Sequence, residues 1–118
     1  MTRREIIRYC LTLTGAYEDH PFGDDPNWAL LRHKANKKTF ACVYERNGRL
    51  CINLKCEPGL AVFLREQFRD LAAGYHMNKT HWNTVMTDGD VPDKDLFGFI
   101  GMSYDLTKPK AKSKEKGM

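Results

Sequence analysis

No apolar run in this chain is long enough to cross a bilayer. The opening Met1-Thr2-Arg3-Arg4-Glu5 leads into neither an apolar signal core nor a small-residue cleavage site. A cytoplasmic protein is therefore expected. The four cysteines (Cys10, Cys42, Cys51 and Cys56) form no CxxC pair, and reduced thiols are the simplest reading. His76 and His81 stand five apart, a spacing that does not place two ligands on one helical face. No metal and no cofactor are expected. GxxxxGK[ST] and GxGxxG are both missing, which argues against the common nucleotide-dependent enzymes. Ser103 is the one serine before residue 108 and has no GxSxG around it, so a serine triad has no support. Cys56 precedes Glu57-Pro58 at a helix start, where a thiol pKa can fall, yet no nucleophile signature surrounds it. It reads as a structural cysteine, and no catalytic residue is assigned.

What the chain does have is 118 residues, enough for one domain with a real core. The net charge of +4 is misleading. Of 19 basic and 15 acidic residues, five lysines and one glutamate follow Thr107, which leaves 14 of each sign in the body. A domain over residues 1–107 with a basic, disordered tail over 108–118 follows. The body is neutral but uneven. Glu18, Asp19, Asp24 and Asp25 gather acid, while Arg32, Lys34, Lys37, Lys38, Arg46 and Arg49 face Glu45 alone between positions 32 and 49.

Thr2 with Glu5 reads as a capping box, and Ile6, Ile7, Cys10 and Leu11 share one face of a first helix reaching about Leu13. Residues 16–27 read as an acidic loop. Strands are expected over 28–34, 38–46 and 49–55, the last two joined by Asn47-Gly48, the strongest short hairpin signal. A two-residue turn pairs Arg46 with Arg49, Tyr44 with Cys51, Cys42 with Asn53 and Phe40 with Lys55. One hairpin face is then mostly aliphatic: Ala41, Val43, Glu45, Leu50, Ile52 and Leu54. The other carries Phe40, Cys42, Tyr44, Arg46, Arg49, Cys51, Asn53 and Lys55, and is expected to meet solvent or a ligand. Pro58 opens a second helix with Leu60, Phe63, Leu64, Phe68 and Leu71 as its buried stripe and Gly74 closing it. A strand over 82–87 and a third helix from Pro92 complete the order. The fold class is α+β, an antiparallel sheet with helices packed on one face.

Between the second helix and the last strand, residues 74–85 crowd in two histidines, two asparagines, a lysine, a tyrosine and a tryptophan. Trp82 reads as a core anchor. The rest has the look of a binding surface. With Tyr44, Arg46, Arg49, Asn53 and Lys55 on the sheet and His76, Asn78, Lys79, His81 and Asn83 on the loop, aromatic, cationic and amide groups suit base stacking, phosphate neutralisation and base-edge contacts. A nucleic acid is the expected partner. A small anionic ligand or a protein partner on the same surface is the alternative. The neutral body argues against a tight, strongly salt-dependent DNA complex.

Several strings resemble the MmcQ/YjbR family. They are Tyr17-Glu18-Asp19-His20-Pro21-Phe22-Gly23, Asn53-Leu54-Lys55-Cys56, Gly74-Tyr75-His76-Met77-Asn78-Lys79, His81-Trp82-Asn83-Thr84-Val85 and Val91-Pro92-Asp93, with Trp28, Arg32-His33-Lys34, Asp88-Gly89 and Ser103-Tyr104. The resemblance runs from the first helix to about Leu106. It implies a CyaY-like (frataxin-like) architecture and a DNA-binding protein with a double-wing motif. Frataxin-like iron binding does not carry over, because the first helix holds Arg3, Arg4 and Arg8 against Glu5 alone.

Overall fold

The computed structural model describes residues 1–110. The tail expected to be disordered lies, from residue 111, outside the described residues. The elements in order are α1 (Arg3–Leu11), β1 (Ala16–Asp19), β2 (Ala29–His33), β3 (Thr39–Arg46), β4 (Arg49–Lys55), α2 (Pro58–Gln67), β5 (Leu71–Ala73), β6 (Trp82–Met86) and α3 (Asp93–Thr107). The fold is α+β. Its six antiparallel strands run β1-β2-β3-β4-β6-β5. Among the described residues no helix is long and apolar enough to cross a membrane.

The strongest local signals produce the elements they predict. Thr2 accepts from the Glu5 amide while the Glu5 carboxylate accepts from the Thr2 amide, which closes the capping box. Asn47 and Gly48 take φ of 54° and 76°, the left-handed pair that a tight hairpin turn needs. The β3–β4 register from Arg46↔Arg49 to Ala41↔Leu54 follows the pairing that this turn dictates.

Weaker signals mislead. α1 stops at Leu11 rather than Leu13. The acidic loop begins with a strand, β1, whose short edge pairs with β2. α2 ends at Gln67 because Phe68 turns extended and the Asp90 carboxylate captures the Arg69 and Asp70 amides at 2.8 and 2.9 Å. Leu71 therefore lies on β5, Gly74 closes that strand instead of a helix, and residues 74–81 form a loop between two strands. Phe63, expected in the buried stripe, is 52% exposed.

The helices cover one sheet face. Ile6, Leu31, Phe40, Ala41, Val43, Ile52, Leu54, Leu64, Val85, Leu96 and Ile100 form that core. Phe40 corrects the expected alternation. The β2–β3 register slips between Leu31 and Arg32, so β3 carries one extra residue there and Phe40 joins Ala41 on the helix side. The expected Phe40–Lys55 pair is not formed. Ser103 of α3 fills the gap: its hydroxyl accepts from the Lys55 amide at 2.8 Å and donates to the Phe40 carbonyl at 2.6 Å.

Candidate functional site

The opposite sheet face is not open. Leu30, Cys42, Tyr44 and Cys51 form a second buried cluster, with Trp28, Tyr75, Met77 and Met86 packed on it. Two segments cover this face, the approach to β2 and the 74–81 loop.

Asn27 brings in the first. Its amide group donates to the Glu45 carbonyl at 2.9 Å and accepts from the Glu45 amide at 2.7 Å, extending the β2–β3 ladder with a side chain. Arg3 of α1 holds Asn27 from behind. Trp28 then lies flat on Tyr44, with ring centroids 4.1 Å apart and planes 17° from parallel. Phe22, itself exposed, meets Trp28 edge-on at 6.1 Å.

Buried polar groups fasten the second. Asn53 is fully buried and accepts from the Tyr44 hydroxyl at 2.7 Å and from the Thr84 hydroxyl at 2.6 Å. Its amide nitrogen donates to the Tyr75 carbonyl at 2.9 Å, while the Tyr75 N–H donates to Thr84 Oγ1 at 2.9 Å. Both backbone groups of Tyr75 are thus satisfied by sheet side chains, and its ring comes to 5.8 Å from Tyr44. From the other side Arg65 of α2 donates to Asn83 Oδ1 at 2.7 Å and to the Lys79 carbonyl. Gly74 is needed at the loop entry, since a Cβ there would sit 2.8 Å from Trp82 Cβ.

What results is a cleft of about 570 Å³. Trp28 and Phe22 stand on one side, Tyr75, His76 and Met77 on the other, with Leu30, Cys42 and Tyr44 beneath and Arg46 at the rim. His76 has φ of 61°, a conformation that costs a non-glycine residue free energy and clusters at functional positions. Its exposed ring packs on Tyr75 at 4.0 Å. The Arg46 guanidinium carbon sits 4.0 Å over the Tyr75 ring.

Of the ten residues expected at the site, Tyr44, Arg46 and His76 line this cleft. Tyr44 is its buried floor, and burial pushes its phenol up to about 12. Asn53 lies buried and spends its bonds on the loop. Arg49 is neutralised, donating to Asp88 at 2.6 Å and to Asp70 at 3.2 Å. Those bonds raise Arg49 and hold the Asp88 carboxyl below its ordinary value. Lys55 sits at the far end of β4, opposite Trp82. Asn78 accepts from the Thr80 and His81 amides and shapes the loop. Lys79 folds back, its ammonium donating to the Gly74 carbonyl at 2.7 Å. His81 is exposed, with its carbonyl taking the Cys56 amide. Asn83 pairs with Leu54 and so faces the helices, where it bonds Arg65.

Trp28, Phe22, Met77 and Arg65 lie outside the ten. Phe22, Trp28 and Met77 occur in the strings that resemble the MmcQ/YjbR family, but nothing in the sequence marks them as one site, and Arg65 gives no signal. All four thiols are buried. Desolvation drives Cys10 and Cys42 to about 12 and raises Cys56, the reverse of what a thiolate nucleophile requires. Among the described residues no cluster of three metal-ligating side chains occurs.

The family model named YjbR matches residues 11–106, a span holding the β5–β6 loop, the Asn53 network and both walls of the cleft. The chain belongs to the YjbR family. Escherichia coli (strain K12) YjbR is 36% identical over 104 residues, covering 88% of this chain and 85% of that protein. Bacillus subtilis (strain 168) YyaQ is 31% identical, covering 92% and 99%. Two crystal structures share the fold at a TM-score of 0.83. One, from Pseudomonas syringae, is 32% identical and covers 92% of this chain and 100% of its own. The other, from Deinococcus radiodurans, is 29% identical and covers 98% and 86%. The YjbR strings of this chain carry three structural duties: fastening the loop (Asn53, Thr84), shaping it (Gly74, Asn78) and lining the cleft (Tyr75, His76, Met77).

Proposed function

We propose that this YjbR-family chain is a non-enzymatic nucleic-acid-binding protein that takes an unstacked base of a single strand into the aromatic cleft. The observation that carries the reading is the group Trp28, Tyr44 and Tyr75, with an arginine on the open Tyr75 ring. Stacking of a base on an aromatic side chain is worth about 1–3 kcal/mol and tolerates any base, because every base has a π-face. A cleft of about 570 Å³ falls within the range of small-ligand sites and admits one nucleotide. The layout that a CyaY-like comparison implies, helices on one face only, puts the binding cleft on the other face, between the two segments that cover it.

A flat duplex is the poorer fit. Arg32 pairs with Asp19, Arg49 with Asp88 and Asp70, and Lys79 with a backbone carbonyl. Among the described residues this face leaves Arg46 and Lys55, at opposite ends of the β3–β4 hairpin, without an oxygen partner, which is too sparse to track two phosphate backbones.

The test is titration of tryptophan emission with single-stranded and duplex oligonucleotides across a salt series. The wild type, Tyr75→Ala and a chain lacking residues 111–118 are compared. Single strands should bind at least tenfold tighter than duplex. Tyr75→Ala should lose about 1–3 kcal/mol of binding while staying folded by circular dichroism. Equal affinity for duplex, or loss of all binding with the tail, refutes the reading.

A further inference from the structure

We propose that Arg46 is a displaceable occupant of the Tyr75 ring, and that the cleft therefore selects a base carrying its own phosphate over a base alone. This rests on the single-strand reading above. Near the cleft the other cations are bound by oxygens: Arg32 by Asp19, Arg49 by Asp88 and Asp70, and Lys79 by the Gly74 carbonyl, while Lys55 lies at the opposite end of β4, beside Trp82. Among the described residues Arg46 makes no ion pair and no side-chain hydrogen bond, and its guanidinium rests on the ring of Tyr75 at 4.0 Å. It is exposed and ends β3 beside the Asn47-Gly48 turn, so its side chain can swing without moving the sheet.

A cation on an exposed aromatic ring is held more weakly than a stacked base or a guanidinium clasping phosphate. A nucleoside entering the cleft must evict Arg46 from the best stacking face and offers it nothing in return. A nucleotide takes the same face and gives the released guanidinium two phosphate oxygens. Arg46 therefore acts as a placeholder that penalises the bare base and rewards the phosphorylated one. His76 also packs on this ring, with centroids 4.0 Å apart, so the Arg46 contact is the one a base would exchange.

The experiment is calorimetric titration of the full chain and of Arg46→Ala with adenosine, adenosine monophosphate and a single-stranded hexanucleotide. For the wild type, the monophosphate should bind about tenfold or more tighter than adenosine. Arg46→Ala should weaken the monophosphate and the hexanucleotide about tenfold, and should strengthen adenosine severalfold because the ring is freed. The salt slope for the hexanucleotide should fall by about one phosphate contact. A hexanucleotide much tighter than the monophosphate marks the strand as the ligand, and comparable affinities mark a free nucleotide. If only the hexanucleotide binds measurably, its loss in Arg46→Ala decides: a tenfold drop supports the placeholder and an unchanged affinity overturns it. Equal binding of adenosine and its monophosphate, or equal weakening of both in Arg46→Ala, also overturns it. If none of the three binds the wild type, the single-strand reading fails first and the placeholder falls with it.

Discussion

Replacing Asn53 by alanine should unfasten the 74–81 loop and cost about 3 kcal/mol. Asn53 is fully buried and makes three hydrogen bonds: two accepted, from Tyr44 and Thr84, and one donated to the Tyr75 carbonyl. Alanine leaves two hydroxyls and one carbonyl without that partner. Each orphaned buried group costs roughly 1–3 kcal/mol, and water entering the vacated space recovers part of it. A net loss of about 3 kcal/mol lowers Tm by roughly 12 °C in a domain of this size. Tyr44→Phe removes one donor and leaves Asn53 Oδ1 bonded to Thr84, so about 1 kcal/mol is expected. Thermal melts of both variants give the magnitudes. Hydrogen exchange gives the location, because the amides of residues 75–81 should exchange faster in Asn53→Ala than in Tyr44→Phe. A cost below about 1 kcal/mol, or unchanged exchange in the loop, would refute the view that this network holds the loop down.

Gly89→Ala should be among the most destabilising single-methyl additions, by about 1–3 kcal/mol in a urea melt, because its Cβ would lie 2.2 Å from Asp70 Oδ2 and 2.4 Å from Asp70 Cβ. His33 is buried with Nε2 at 2.8 Å from Thr107 Oγ1, and burial lowers its pKa from the ordinary 6.5. The unfolded chain then binds the proton more readily, so the stability this histidine contributes is full above about pH 6.5 and is lost as pH falls through the folded value. The Tm of wild type should drop more between pH 7 and 5 than that of His33→Gln, and parallel curves would count against the assignment. The thiols should resist a colourimetric thiol reagent at pH 7.5 in the folded chain and all four react in urea, since each is buried. Rapid labelling of Cys56 in the native state would reopen a nucleophile role.

Much of this was legible where a short stretch decides its own geometry. Thr2 with Glu5, the Asn47-Gly48 turn and Pro58 at a helix start each fix a few dihedrals through local chemistry. What could not be read depends on partners distant in sequence. β1 and β5 are four and three residues long, too short for a period of two to stand out, and they are strands only because β2 and β6 lie beside them. Phe40 changes face through one extra residue, which no alternation pattern announces. Tyr44 and Asn53 were placed on the correct face, but the exposure expected of that face depended on whether a loop thirty residues away lies down on it. Asn83 looked equivalent to Asn78 in the string. A strand's alternation sends it to the helices.

The Ser103 hydroxyl bears on how this molecule can be cut. β3 and β4 separate at Phe40 and Lys55, and a side chain from α3 supplies the rung that joins them. The third helix is therefore part of the sheet's own bonding as well as its cover. A fragment ending before residue 103 would keep every strand yet leave an open ladder in the centre of the sheet. Schemes that divide the chain into complementing halves, or permute its ends, should keep α3 in the same piece as the central hairpin. A break in the loop after β1 spares that joint.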